Sequence, residues 1–158
     1  KEVAEKVIAN VRTMGMALTP CTVPAAGKPT FTLEENEIEM GIGIHGEPGT
    51  HREELKPADE IVAHMMEKVL EDLPYKAGDE VAVMVNGMGA TPQMELLLLN
   101  RKVSEMLKEA DIKVHRTYVG DYMTSLEMAG FSVTLLKLDD ELKELLDAPV
   151  DTPGLTQF

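Results

Sequence analysis

The chain has 158 residues, the size of a single domain, and is long enough to bury a core without disulfides or a structural metal. Against 28 acidic residues stand 15 Lys and Arg, a formal charge of −13, which is the wrong sign for gripping nucleic acid or an anionic membrane surface. No stretch approaches the roughly 18 apolar residues of a spanning helix, and the one cysteine, Cys21, cannot make an internal disulfide. With no basic start leading into an apolar signal core, a soluble, cytoplasmic protein is expected. The first residue is Lys1 rather than Met and already reads as helix, so the chain is expected to be part of a longer one.

In chain order, Val3, Val7, Ile8 and Val11 recur at helical spacing and predict an amphipathic helix over residues 1–12, ending near Gly15. Pro20, Pro24, Gly27 and Pro29 mark residues 16–29 as an irregular connection. Residues 31–33 and 38–44 read as two β runs around an acidic tip at residues 34–37, a hairpin that delivers the glycine-rich stretch from Gly41 to Gly49. Beyond Lys56, with Pro57 at its start and Asp59 and Glu60 in the first turn, a helix is predicted. Its buried face is Ile61, Val62, Met65, Met66, Val69, Leu70 and Leu73.

Val81 to Val85 read as a fully covered strand. The turn Asn86-Gly-Met-Gly-Ala90 then leads, through Thr91 and Pro92 as cap and first turn, into a helix reaching about Glu109. A strand over residues 112–119, a short helix around 123–128, a strand over 131–138 and a helix over 139–146 complete the pattern, followed by an extended tail from Pro149 to Phe158. Strands alternating with helices imply an α/β fold, a mixed sheet flanked by helices. The methionines Met65, Met66, Met94 and Met106 fall at core positions, where a flexible thioether fills gaps. The acidic stretches at 34–39 and 139–144 are most simply solvated faces.

Chemistry concentrates at Glu39-Met-Gly-Ile-Gly-Ile-His-Gly-Glu-Pro-Gly49. Gly41, Gly43 and Gly46 spell G-x-G-x-x-G, yet a dinucleotide fingerprint opens into a helix N-terminus, whereas Ile42 and Ile44 read as strand and Glu47-Pro48-Gly49 as a further turn. A carboxylate at Glu47 would also repel a pyrophosphate. What remains is the imidazole of His45 among glycines, where absent side chains let a small molecule approach the ring. The plainer reading is a turn histidine; the functional ones are base, metal ligand or nucleophile. The other histidines, His51, His64 and His115, are scattered, and no metal-ligand spacing joins them.

Two further turns carry weaker signals. Asn86-Gly-Met-Gly-Ala-Thr-Pro92 suits an anion at a helix N-terminus but lacks a P-loop lysine, and its plainer reading is a tight strand-to-helix turn. In Gly120-Asp-Tyr-Met-Thr-Ser-Leu-Glu-Met-Ala-Gly130, Asp121, Thr124 and Ser125 either line a pocket or cap a helix.

Taken together, Cys21-Thr-Val-Pro24, Gly41-Ile-Gly-Ile-His-Gly-Glu-Pro-Gly49, Asn86-Gly-Met-Gly-Ala-Thr-Pro92, Thr124-Ser-Leu-Glu-Met-Ala-Gly130 and Asp147-Ala-Pro-Val150 resemble the dihydroxyacetone kinase K subunit, in the family's own order. The resemblance runs from about Met14 to the C-terminus. It implies that residues 1–158 are the C-terminal part of a K domain, one domain of a two-domain fold, whose N-terminal half is absent from this chain. By resemblance, His45 is the catalytic and substrate-binding residue, its ring nitrogen adding to the ketone of dihydroxyacetone to give a hemiaminal before phosphoryl transfer. A neutral imidazole is a plausible nucleophile near neutral pH, where lysine is protonated.

The resemblance further implies an incomplete active site in this chain, no cofactor or metal bound by it, and ADP or ATP with Mg on a partner L subunit. The ending after Asp147-Ala-Pro-Val150 favours the branch that draws phosphate from the phosphotransferase system in glycerol metabolism. Expected partners are dihydroxyacetone, the L subunit, the N-terminal half of the K subunit and a second copy in a homodimer. A competing reading is a non-catalytic dihydroxyacetone sensor and coactivator of the same family. A third is an aldolase-like enzyme using Lys28 or another lysine as a Schiff base.

Overall fold

The computed structural model describes residues 1–45 and 47–158. Helix α1 spans Glu2–Asn10 and runs directly into strand β1, Val11–Ala17. Strands β2 (Glu37–Met40) and β3 (His51–Glu54) come next, then helix α2 (Ala58–Asp72), strand β4 (Glu80–Gly87), helix α3 (Gln93–Glu109), and strands β5 (Lys113–Gly120) and β6 (Gly130–Leu138). Helix α4 (Asp140–Asp147) and the small hairpin of β7 (Val150–Thr152) and β8 (Leu155–Gln157) end the chain. Six strands form one sheet in the order β3-β2-β1-β6-β4-β5. Among the described strands of this sheet only β4 and β5, joined through α3, pair in parallel; the other neighbours are antiparallel. The expected mixed sheet flanked by helices is therefore present.

Side chains alternate between the sheet faces. On one face Met16, Phe131, Val133, Leu135, Val83 and Val85 meet Ile61, Val62, Met65, Met66 and Val69 of α2 and Leu96, Leu99, Val103 and Leu107 of α3. Each such apolar side chain contributes about 1.5–3 kcal/mol on burial, so this layer holds the fold. The opposite face is different. At one end Val7 of α1 and Leu142 and Leu146 of α4 cover Ala82, Leu136 and Leu138. Further along, most of the residues in register are small or polar, with Thr13 opposite Thr134 and both Gly15 and Asn86 opposite Ser132, while Met84 lies opposite Thr134.

Several expectations are corrected. The first helix stops at Asn10, whose side-chain amide donates to the Lys6 carbonyl at 2.8 Å. The residues expected to finish it pair with β6 over seven positions instead. Long-range pairing overrides a weak local helical pattern. Of its expected stripe, Val3 and Ile8 remain exposed. Residues 31–33 form no strand. Instead β2 ends at Met40 and pairs with β3, so Gly41 to Ile44, expected to continue the second β run, stand with His45 at the tip of a hairpin. Strand β3, His-Arg-Glu-Glu, carries no apolar residue and lies at the sheet edge, which leaves nothing for a hydrophobic pattern to detect.

The helix expected around residues 123–128 is absent. Leu126 has φ +54°, a left-handed conformation that no α-helix contains, and Met128 bridges Gly89. Met94 is exposed, as are Leu97 and Leu98, so only Leu96 and Leu99 of that leucine run reach the core. The tail is extended as expected, paired as β7 and β8.

Thr91 does not cap α3. The N-cap is Pro92, and the buried Thr91 hydroxyl donates to the Gly130 carbonyl at 2.6 Å while accepting the Gly130 N–H at 3.0 Å. Thr91→Val keeps the volume but strands the Gly130 N–H, while the Gly130 carbonyl keeps the Met88 N–H at 3.1 Å. It is expected to destabilise by about 1–3 kcal/mol, read as a lower denaturant midpoint at unchanged slope; an unchanged midpoint refutes the assignment.

Candidate active site

The tip of the β2–β3 hairpin is fastened to the sheet and closed on itself. The Gly41 N–H donates to the Gly15 carbonyl of β1 at 2.7 Å, and the Thr50 N–H returns to the Met40 carbonyl at 2.7 Å. Gly41 adopts φ +79°, the left-handed turn that ends β2 and favours glycine. Glu39, expected to be solvated, is buried. Its Oε1 accepts the Gly49 N–H at 2.7 Å, and its Oε2 lies 3.3 Å from Arg52 Nε. A carboxylate placed this way joins the two ends of the tip by a charge-assisted hydrogen bond.

This arrangement places His45 beside a cavity of about 450 Å³ on the small, polar face of the sheet. Thr13, Gly15, Ser132 and Thr134 line it from β1 and β6, with the Thr13 and Thr134 hydroxyls 2.8 Å apart. Met84, Met88, Met123, Ile42 and Ile44 form apolar walls, and His45 and Glu47 stand at the exposed side. Glu47 Oε1 lies 3.0 Å from His45 Nδ1, while its Oε2 accepts the His45 backbone N–H at 2.9 Å. The Glu47 carboxyl is held below its ordinary range, chiefly by hydrogen bonding to its own backbone N–H, with partial desolvation opposing and His45 adding to the effect.

Asn86 sets one wall. Its Oδ1 accepts the N–H groups of Tyr122 and Met123 at 2.9 and 2.8 Å, and its Nδ2 donates to the Met123 carbonyl at 2.8 Å. One buried side chain therefore takes the place of secondary structure and holds Met123 over the cavity.

The remaining expected residues fall elsewhere. His51 belongs to β3 and meets His64 of α2 edge to face, with ring centroids 5.8 Å apart. Both line a separate cavity of about 700 Å³ that adjoins the first across Gly15, Ile42 and Gly43. His115 of β5 pairs with Asp147 at 2.9 Å. Among the described residues no three His, Cys, Asp or Glu side chains are arranged to hold a metal. The turn at Asn86–Ala90 abuts the 125–130 segment, the Ala90 N–H donating to the Met128 carbonyl at 3.2 Å. Ser125 is buried and donates to Cys21 Sγ at 3.3 Å, so it caps no helix. Gly46, third of the G-x-G-x-x-G glycines, lies outside the described residues. Strand β3 rather than a helix succeeds the tip, so the context of a dinucleotide fingerprint is missing.

Sequence reasoning misses Thr13, Ser132 and Thr134. Their signal is a polar or small residue at every second position inside otherwise apolar strands, which marks a face turned to a ligand or to water rather than to core.

The six-stranded mixed sheet, with a histidine on a glycine-rich hairpin tip beside a cavity, makes this an α/β domain with a candidate ligand site. The Dak1 domain family matches residues 1–154, and the chain belongs to that family. It is 54% identical to the dihydroxyacetone-binding subunit of a phosphotransferase-dependent dihydroxyacetone kinase of Listeria innocua, over 96% of this chain and 46% of that protein. It is 40% identical to the corresponding subunit of Escherichia coli, over 98% of this chain and 50% of that one. Among solved structures, a dihydroxyacetone kinase operon co-activator superposes with a TM-score of 0.86 at 32% identity, covering 94% of this chain and 46% of its own. The dihydroxyacetone kinase of C. freundii superposes at 0.79 and 27% identity, covering 98% and 28%. The chain thus spans about half the length of the curated relatives it matches. No described helix is long and apolar enough to cross a membrane.

Removing the Glu39 carboxylate should loosen the tip without touching the α2 and α3 layer. In Glu39→Ala the Gly49 amide is expected to exchange with solvent roughly 10- to 100-fold faster, matching the about 1.5–3 kcal/mol of a hydrogen bond to a charged group. Amide hydrogen exchange measures this, and equal protection in both proteins counts against Glu39 as the closure.

Proposed function

We propose that the chain is the histidine-bearing part of a dihydroxyacetone-binding subunit of a dihydroxyacetone kinase. In this reading the His45 ring captures dihydroxyacetone as a hemiaminal and holds it for phosphoryl transfer. The observation that carries the reading is His45 beside a cavity floored by hydroxyl side chains, on a chain 54% identical to such a subunit. Hydroxyls of Thr13, Ser132 and Thr134 suit a small polyhydroxy ligand, and covalent capture selects a ketone over a triol of similar outline, which has no carbonyl carbon to attack.

The rest of the subunit, absent from this chain, would supply the acid–base groups near the transferred phosphoryl, and a second copy would complete a homodimer. The donor nucleotide with Mg would be carried by a partner L subunit. Dependence on the phosphotransferase system is inferred from relatives whose names carry it, the Listeria innocua subunit among them, and a cytoplasmic setting fits that partner. What this chain contributes is positioning, which with charge stabilisation makes up most of a phosphoryl-transfer step.

A second reading, a sensor without turnover, has one observation in its favour: the superposition on the operon co-activator. The two separate in an assay of the full-length subunit with L subunit and phosphoryl donor, where a kinase forms dihydroxyacetone phosphate and a sensor does not. Stable lysine labelling after borohydride would favour a Schiff base at Lys28 or another lysine instead.

For the full-length subunit with dihydroxyacetone labelled with carbon-13 at the ketone, the carbonyl signal is expected to be replaced by that of a tetrahedral carbon. His45→Ala should abolish this change. A tetrahedral signal that survives in the variant removes His45 from the reaction.

A further inference from the structure

Glu47 makes two contacts with one residue. One carboxylate oxygen accepts the His45 backbone N–H at 2.9 Å, and the other lies 3.0 Å from the ring Nδ1. An ionised carboxylate has no proton to give, and its depressed pKa keeps it ionised at neutral pH. The ring must therefore be the donor, with its proton on Nδ1. Among the described residues Nε2 has no hydrogen-bond partner. Gly43 is part of the same unit, because a Cβ there would collide with Glu47 Oε2, and the Gly43 N–H donates to the Glu47 carbonyl at 3.2 Å. Gly43, His45 and Glu47, at alternate positions, form one closed device.

We propose that Glu47 is the positioning residue that fixes His45 in the tautomer protonated on Nδ1, leaving the Nε2 lone pair to bond the ketone carbon. The proposal rests on the reading of His45 as the covalent site. In the step, Nε2 forms the bond to the carbonyl carbon, the π pair of the carbonyl moves to its oxygen, and that oxygen takes a proton from solvent. The ring then carries a positive charge until Nδ1 loses its proton. The Glu47 carboxylate is the acceptor at that atom, stabilising the charge while it lasts and opening the path by which the proton leaves for solvent. The sum is one N–C and one O–H bond formed for one C=O π bond and one N–H bond lost.

Glu47→Gln is the sharp test, because it keeps the shape of the side chain. With its single oxygen accepting the His45 N–H, the amide nitrogen faces Nδ1 as a donor, which reverses the tautomer to protonated Nε2. In the full-length protein with nitrogen-15 histidine, the two-bond proton–nitrogen pattern of His45 is expected to show protonated Nδ1 in the native protein and protonated Nε2 in Glu47→Gln. The rate of appearance of the tetrahedral carbon should fall about tenfold or more, the scale of a lost charge-assisted hydrogen bond. Gly43→Ala, which displaces the carboxylate without altering it, should act the same way.

A Glu47→Gln protein with native tautomer and native rate overturns the proposal, since a purely structural glutamate tolerates the isostere. Absence of any tetrahedral carbon in the native protein overturns the covalent reading instead, and the tautomer measurement still decides whether Glu47 orders the ring.

Discussion

The site depends on one backbone contact, the Gly41 N–H on the Gly15 carbonyl at 2.7 Å. Strand β1 pairs with β6 along its whole length but with β2 only at Met16 and Ala17. Beyond that point the hairpin leaves the sheet, and the bond is where it does so. A tip without this tether would be held only at its base, where exposed loops sample many conformations. With it, and with Glu39 closing the other end, Ile42 to His45 run beside the sheet face that carries Thr13, Ser132 and Thr134. The asymmetry of the sheet gives this its meaning: one face is given over to apolar packing with α2 and α3, which frees the other to be polar.

Single polar side chains account for the third wall of the cavity. The segment after β5 has no regular structure, and its backbone groups need partners. Asn86, at the end of a buried strand, supplies an acceptor for two N–H groups and a donor for one carbonyl. Thr91 does the same for both groups of Gly130. In the sequence each polar side chain reads as turn chemistry or a cap, and in the fold each fixes a distant strand or loop. The glycine turn between them is therefore closely packed against the chain, Gly89 lying against Leu126 and Met128, and offers little room for an anion.

What is legible in the sequence tracks burial. Helices α2 and α3 and strands β4 and β6 have strong apolar periods, and they lie close to where those periods place them. Strand β3 has no apolar residue and β1 looks like the tail of a helix, so both are set by partners far along the chain, which no local pattern reports. Met94 shows the opposite failure: an apolar residue at a helical position reads as core, yet burial depends on which arc of α3 faces the sheet. The histidine stands out because glycines surround it. Its partner Glu47 is in the same motif, but only the folded tip shows that the carboxylate turns back on the ring. The hydroxyls of Thr13 and Thr134 come from strands more than a hundred residues apart, and only the register brings them together.

The openness of the site bears on why a covalent bond would be useful there. The His45 side chain is 79% exposed and that of Glu47 57%, so this chain encloses a ligand on one side only. Non-covalent binding has a ceiling of about 1.5 kcal/mol per non-hydrogen atom for the smallest ligands, reached only when they are well buried. A three-carbon sugar that is largely hydroxyl must also give up its hydration on binding, and a half-open cavity cannot return all of those hydrogen bonds. A bond from the ring to the ketone carbon does not depend on enclosure. It fixes the carbon skeleton at a single atom whose position is set by the tethers at Gly41 and Glu39, while the hydroxyl groups remain free to face a second protein surface. In the proposed reaction that is the requirement: a substrate anchored on one subunit and presented to a phosphoryl donor held on another.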